Sequence, residues 1–236
     1  MAKADIIDFQ FPEAKIYRPE TYSCIKPFWH EFQKKYVERV FKRGGFILDI
    51  GGGLRIDPSR GNKFNKENLN AFQKYLDDSS VEYKVSDYTN QYNPDFVEDV
   101  HQLSFDDNAI DGIFCIALLE HVYDPKRAAE EIIRVLKPKG EAFLYVPFIY
   151  RYHANSTEDY KDYFRYSKDG IAYLFRECAE VTLCPVRGLF ESLLRFTPLY
   201  GWPLIPNFAR WIDWKPKIMR SISEKQSSGY FFHVVK

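Results

Sequence analysis

Apolar positions along this chain switch between two periods. From Phe28 to Phe41, the residues Phe28, Trp29, Phe32, Tyr36, Val37 and Val40 fall at helical spacing, with Lys34, Lys35, Glu38 and Arg39 mainly opposite. That pattern predicts an amphipathic helix packed on a sheet. Behind the breaker pair Gly44-Gly45, the run Phe46–Ile50 reads as a buried parallel strand, and Gly51-Gly52-Gly53 stops it. Short runs of the same kind recur at Val81–Ser86, Phe96-Val97, Asp111–Ile116, Glu141–Val146, Glu180–Val186 and Gly229–Val235. Helical spacing returns between them. One helix starts near Phe64 to Leu69 and ends near Asp77; a second runs from Pro125 to Leu136 behind an Asp124 cap. A third is capped by Ser167 and runs to about Cys178. Lys137-Pro138-Lys139-Gly140 closes the second with basic residues, a proline and a glycine. Strands alternating with helices predict an α/β fold on a largely parallel sheet.

Two stretches depart from the alternation. Residues 1–27 have weak periodicity and three prolines, and read as an irregular arm that either straps the core or caps a ligand site. Gly188–Ser228 is rich in aromatics, among them Phe190, Phe196, Tyr200, Trp202, Phe208, Trp211 and Trp214. Its prolines at 198, 203 and 206 exclude a continuous membrane-spanning helix. A lid, a homodimer surface and an interfacial membrane contact are its three readings. Sparse lysines and arginines before its end favour the first two.

At 236 residues the chain reads as one domain: arm and helix over 1–43, core over 44–187, aromatic insertion over 188–228 and last strand over 229–236. Lysine plus arginine equals aspartate plus glutamate, 33 each, so no charge excess points to nucleic acid or an anionic membrane. Cys24, Cys115, Cys178 and Cys184 lack metal-ligand spacing, and no metal is expected; Cys115 and Cys178 read as buried thiols. No apolar run is long enough to span a bilayer and no signal-peptide core stands at the N-terminus, so the cytoplasm is the expected location.

The glycines carry the chemistry. A strand that ends in glycines at the carboxyl edge of an α/β sheet lets a nucleotide approach the backbone closely. The dinucleotide fingerprint G-x-G-x-x-G fits only in part: Gly51 and Gly53 match, but Ile56 stands at the third position. Asp87, at the end of the second strand, can accept hydrogen bonds from vicinal ribose hydroxyls. Its competing reading is a residue that opens the turn toward Asn90.

Asp49, Gly51 and Gly53 form an acid-x-Gly-x-Gly pattern that resembles the first motif of class I S-adenosylmethionine-dependent methyltransferases. Residues 94–125, PDFVEDVHQLSFDDNAIDGIFCIALLEHVYDP, resemble the methyltransferase-11 type of that family, and Lys137–Gly140 matches its "RVLKPGG" punctuation. The resemblance covers residues 46–176 well. It implies a Rossmann-like seven-stranded sheet with the last strand antiparallel and helices on both faces. It also implies S-adenosylmethionine as cofactor. The implied cofactor contacts are Asp49, Gly51, Gly52, Gly53, Arg55, Asp87, Tyr88, Asp99, Val100, His101, Ile116 and Ala117, with Asp99 meeting the adenine amino group. Arg55 replaces the family's third glycine, and either it or Arg60 could reach the cofactor's carboxylate.

Pro147–Tyr166 resembles a subgroup of these enzymes associated with glycan pathways, whose pattern is "PF…H…P-x-DY-x-RF/Y-T". The fit is imperfect. Asp159-Tyr160 and Asp162-Tyr163 both compete for the DY position, and the second restores the spacing to Arg165. The implied acceptor contacts are Tyr150, Asp162, Tyr163 and Arg165. An internal pair between Arg165 and Asp162 or Asp159 is the competing reading. His121 and His153 are the general-base candidates for a hydroxyl acceptor, against a backbone-bonded His121 and a loop His153 beside Asp159 or Asp162. The expectation is a methyltransferase that O-methylates a small hydroxylated acceptor such as a sugar or glycan intermediate. The rivals are a non-catalytic binding module with this fold and an NAD-dependent dehydrogenase.

Overall fold

The computed structural model describes residues 14–52, 56, 72–155 and 160–236. Among these residues the organising element is an eight-stranded sheet in the order β1-β7-β8-β6-β5-β2-β3-β4. The strands are β1 (Lys15–Ile16), β2 (Gly45–Ile50), β3 (Val81–Asp87), β4 (Phe96–Val97), β5 (Ile110–Ile116), β6 (Leu136–Pro147), β7 (Glu180–Val186) and β8 (Gly229–Val235). Seven of them give the expected sheet. β8 lies between β6 and β7 and runs antiparallel to both, while the other pairings are parallel.

The eighth strand comes from the arm. Lys15 pairs with Thr182 and Ile16 with Leu183, which adds β1 to the edge of β7. Two residues carry too little periodicity to read as a strand; the pairing is set by the exposed edge it covers.

Helix α1 (Phe28–Phe41) has the expected bounds, and its buried residues are the predicted stripe plus Phe41. It packs with the helical residues 72–76 on one face of the sheet, where Phe32, Phe41, Phe72 and Phe114 form an aromatic layer. On the other face, α3 (Pro125–Val135) and α4 (Lys168–Leu174) bury Ala128, Ile132 and Ile171 against Leu48, Ile113 and Leu144. Helices therefore cover both faces. Here α2 denotes residues 72–76. The part of the expected helix before residue 72 lies outside the described residues.

Two boundaries differ from expectation. Lys137–Gly140 belongs to β6 rather than to a loop. Ile110 pairs with Leu136 and Gly112 with Glu141, so the four residues bulge out of the ladder with Lys139 at φ +63°. α4 stops at Leu174, where Phe175 takes a non-helical conformation.

The insertion is helical: α5 (Leu189–Leu194), α6 (Ile205–Trp214) and α7 (Lys217–Ser223). The arm straps this unit. Tyr22 stacks on Trp214 at 5.7 Å, Arg18 holds Glu224 with two 2.8 Å bonds, and Arg210 donates to the Cys24 carbonyl. Trp202, Leu204, Phe208, Trp211 and Ile218 remain more than half exposed on its outer side. Among the described residues no helix is long and apolar enough to cross a membrane.

Candidate active site

Four parallel strands end at one edge. Ile50 ends β2, Asp87 ends β3, Val97 ends β4, and Ala117 follows β5. Together with Pro147 at the end of β6 they surround a cavity of about 920 Å³. This is the crevice outside the carboxyl ends of strands where open α/β sheets bind ligands.

One half of the cavity is built around the glycine turn. Gly51 has φ +66°, a conformation that L side chains rarely adopt, and its N–H donates to the Ser86 carbonyl at 2.7 Å. A Cβ on Gly52 would stand 2.1 Å from the Asp49 carboxyl carbon. Asp49 is fully buried and accepts from the Tyr83 hydroxyl at 2.6 Å. It therefore props the turn from beneath and does not line the cavity. Gly52 and Ile116 also stand behind the wall; Gly51, Asp87, Tyr88, Asp99, Val100, His101 and Ala117 line it. Gly53, Arg55, Arg60 and Asp159 lie outside the described residues.

Asp87 accepts from the Thr89 N–H at 3.2 Å through one carboxylate oxygen. The turn-opening contact is thus present, and the same carboxylate faces the cavity. Asp99 accepts from the His101 backbone N–H at 2.9 Å and from its Nδ1 at 2.6 Å. Burial opposes the Asp99 charge, but these His101 contacts and Arg127 outweigh it and hold the carboxyl below its ordinary value. His101 Nε2 faces the Asp124 N–H at 3.3 Å, which leaves the ring proton on Nδ1. The imidazole stacks on Tyr123 at 4.0 Å.

The other half is aromatic and basic. Tyr145, Tyr150, Tyr160 and Tyr163 line it with His121, His153 and Lys161. Burial pushes the Tyr145 hydroxyl up to about 12, so it stays a neutral phenol. Both histidines are anchored through Nδ1: His121 on the Lys161 carbonyl at 2.6 Å, His153 on the Arg151 carbonyl at 3.2 Å. Between them stands Glu120, 1% exposed, with Oε1 3.8 Å from His121 Nε2 and 3.7 Å from His153 Nε2. The Glu120 carboxylate raises the His153 pKa against the opposing effect of burial. Glu120 has no role in the sequence reading, although it sits in the quoted LEHV. A carboxylate one residue before a candidate base was the available signal.

Asp162 and Arg165 do not reach the cavity. Arg165 grips both oxygens of Asp162 and donates to the Arg151 and Phe164 carbonyls, and Asp162 accepts from the His153 N–H at 2.8 Å. The internal pair is the geometry found, and its work is to hold the His153 loop. Burial opposes the Asp162 charge, yet the Arg165 guanidinium and the His153 N–H lower its carboxyl to about 2 from an ordinary 3.8. A depressed carboxyl stabilises the fold above its unfolded pKa, and the contribution disappears as pH falls through the folded one. Asp162 should therefore supply about 2 kcal/mol at neutral pH, lost between about pH 4 and pH 2. Urea unfolding across that range checks this: Asp162→Asn should flatten the dependence by that amount, and an unchanged slope would refute the pairing.

Residues 61–144 match the family model described as a methyltransferase domain. That match covers less than half of the chain. The chain shares its fold with a SAM-dependent methyltransferase from Archaeoglobus fulgidus, at 13% identity over 87% of this chain and 94% of that one, TM-score 0.50. Phosphoethanolamine N-methyltransferase 2 of Haemonchus contortus, in complex with S-adenosyl-L-methionine, aligns at 16% identity and TM-score 0.47, over 87% of this chain and 52% of that one. A methyltransferase in complex with the Haloferax volcanii activator Trm112 aligns at 18% identity and TM-score 0.47, over 88% and 95%. The chain spans about half the length of the Haemonchus contortus structures it matches. A comparison with curated protein sequences finds no match.

Proposed function

We propose that the protein is an S-adenosylmethionine-dependent methyltransferase that O-methylates a small hydroxylated acceptor of the sugar or glycan-intermediate class. The observation that carries this reading is one cavity with two unlike halves. The first has the Gly51 turn with Asp87 and Asp99 on successive strand ends, suited to backbone contact, ribose hydroxyls and an exocyclic amine. The second joins tyrosine faces to the His121–Glu120–His153 group, suited to a polyhydroxylated acceptor.

Methyl transfer to oxygen is an in-line displacement at a sulfonium carbon, so alignment and electrostatics carry most of the acceleration. Tyr150 and Tyr163 would hold the acceptor, while His121 and His153 would activate its hydroxyl. The insertion would close over the acceptor end, since the Arg195 guanidinium lies 5.0 Å over the Tyr150 ring. The exposed aromatic side of the insertion would carry a subunit contact.

Calorimetric titration with S-adenosylhomocysteine, with NAD as control, tests the cofactor. Micromolar binding of the first and none of the second is expected. Transfer of a labelled methyl group to a panel of nucleotide sugars and glycans then tests the acceptor class. No binding of S-adenosylhomocysteine to folded protein would overturn the reading in favour of a non-catalytic module, and NAD binding would favour the dehydrogenase.

A further inference from the structure

Glu120 is a buried carboxylate on the cavity wall whose Oε2 has no hydrogen-bond partner among the described residues. A bare buried carboxylate is costly unless a cation compensates it. The two imidazoles beside it do so only weakly. Their Nε2 atoms stand 3.8 and 3.7 Å from Glu120 Oε1, too far for hydrogen bonds. Such gaps are close to the span of two metal–ligand bonds: a tetrahedral cation with bonds of about 2.1 Å puts its ligand atoms about 3.4 Å apart. One ligand atom from each of Glu120, His121 and His153 lies within 4.8 Å of the others.

We propose that Glu120, His121 and His153 bind a divalent first-row transition-metal cation that keeps open coordination positions toward the acceptor end of the cavity.

The outer contacts have the form that metal-binding histidines use. His121 Nδ1 meets the Lys161 carbonyl at 2.6 Å; His153 Nδ1 meets the Arg151 carbonyl and Asp162 Oδ2, each at 3.2 Å. A proton on each Nδ1 leaves the Nε2 lone pair facing Glu120. Asp162 is itself held by Arg165, so the Asp162–Arg165 pair positions a ligand rather than an acceptor. Two imidazoles and one carboxylate suit zinc, iron, cobalt or manganese better than the all-oxygen preference of magnesium or calcium. Three protein ligands leave room for a further one, as sites that act on a bound oxygen require.

What the cation does rests on the methyl-transfer reading; its binding does not. An acceptor hydroxyl taken as a further ligand gives up its proton to solvent water more readily. Its oxygen then forms a bond to the cofactor's methyl carbon as the carbon–sulfur bond breaks and the bonding pair stays on sulfur. Both Nε2 atoms are then ligands, and the cation activates the hydroxyl.

The test is cobalt(II) titration of the full chain after chelator treatment and dialysis, followed by visible absorption and calorimetry. One cobalt per chain with d–d bands is expected. Glu120→Gln and His153→Ala should each weaken binding by about tenfold or more. His153 lies on a loop, so its variant remains informative if loss of buried Glu120 disturbs folding. No cobalt bound by folded wild type, or binding unchanged in both variants, overturns the site. S-adenosylhomocysteine titrated with and without metal separates the two proposals. Cofactor binding without cobalt binding removes the metal site alone. Cobalt binding without cofactor binding keeps the site and removes the methyl-transfer reading.

Discussion

Asp87→Ala should bind S-adenosylhomocysteine about 10- to 150-fold more weakly than wild type. The figure is the loss of a charged hydrogen-bond acceptor, about 1.5–3 kcal/mol. Asp87 ends β3, and its neighbour β2 ends in the Gly51 turn, so under the proposed function a cofactor resting on that turn would bring its ribose to the next strand end. One carboxylate oxygen is engaged by the Thr89 N–H, which fixes the plane of the carboxylate. Loss of the side chain also frees Thr89, which caps the short turn Asn90–Tyr92 through its hydroxyl. Asp87→Asn separates these effects. It keeps an oxygen for the Thr89 N–H but loses the charge and one acceptor, so its affinity should fall between alanine and wild type. Calorimetry reads all three proteins. Alanine within twofold of wild type would show that Asp87 serves only the turn.

The sheet and the glycine-turn half of the cavity were legible because their signals are local. A strand ending in Gly51 and an acid closing the next strand lie within short windows, where apolar period and turn residues report directly. α1 keeps its predicted bounds for the same reason. What was not legible depends on contacts between distant residues. Asp49 reads as a cofactor contact, but only the fold puts its carboxylate under Gly52, where a Cβ would collide with it. Arg165 reads as an acceptor clamp, yet Asp162 already occupies both arms of its guanidinium. Glu120 gains meaning only when His153, from another loop, arrives beside it. β1 escapes for a different reason: an edge pairing of two residues leaves no period to detect.

Asp213→Ala should destabilise the fold by about 3–5 kcal/mol, the range for stranding several buried polar groups at once. α5 has no side-chain cap of its own. The fully buried Asp213, near the end of α6, supplies one instead. Its oxygens accept from the Phe190 N–H at 2.8 Å and the Glu191 N–H at 2.9 Å, and the Ser223 hydroxyl of α7 donates at 2.9 Å. One carboxylate thus ties three helices, and Gly188 is required beside it because a Cβ there would stand 2.3 Å from the Asp213 carboxyl carbon. Burial raises the Asp213 carboxyl above its ordinary value, while the Glu191 and Phe190 N–H groups and the Ser223 hydroxyl pull it down; an amide keeps one oxygen that can accept from these donors. Asp213→Asn should therefore recover part of the loss, limited by the amide group it turns toward an N–H donor. Thermal and urea unfolding measure both variants. The loosened α5 carries Arg195 away from Tyr150, so the acceptor KM should rise in Asp213→Ala while S-adenosylhomocysteine affinity stays near wild type below the melting range. Equal loss of both would place the insertion in the cofactor site, and a change in stability under 1 kcal/mol would refute the capping account.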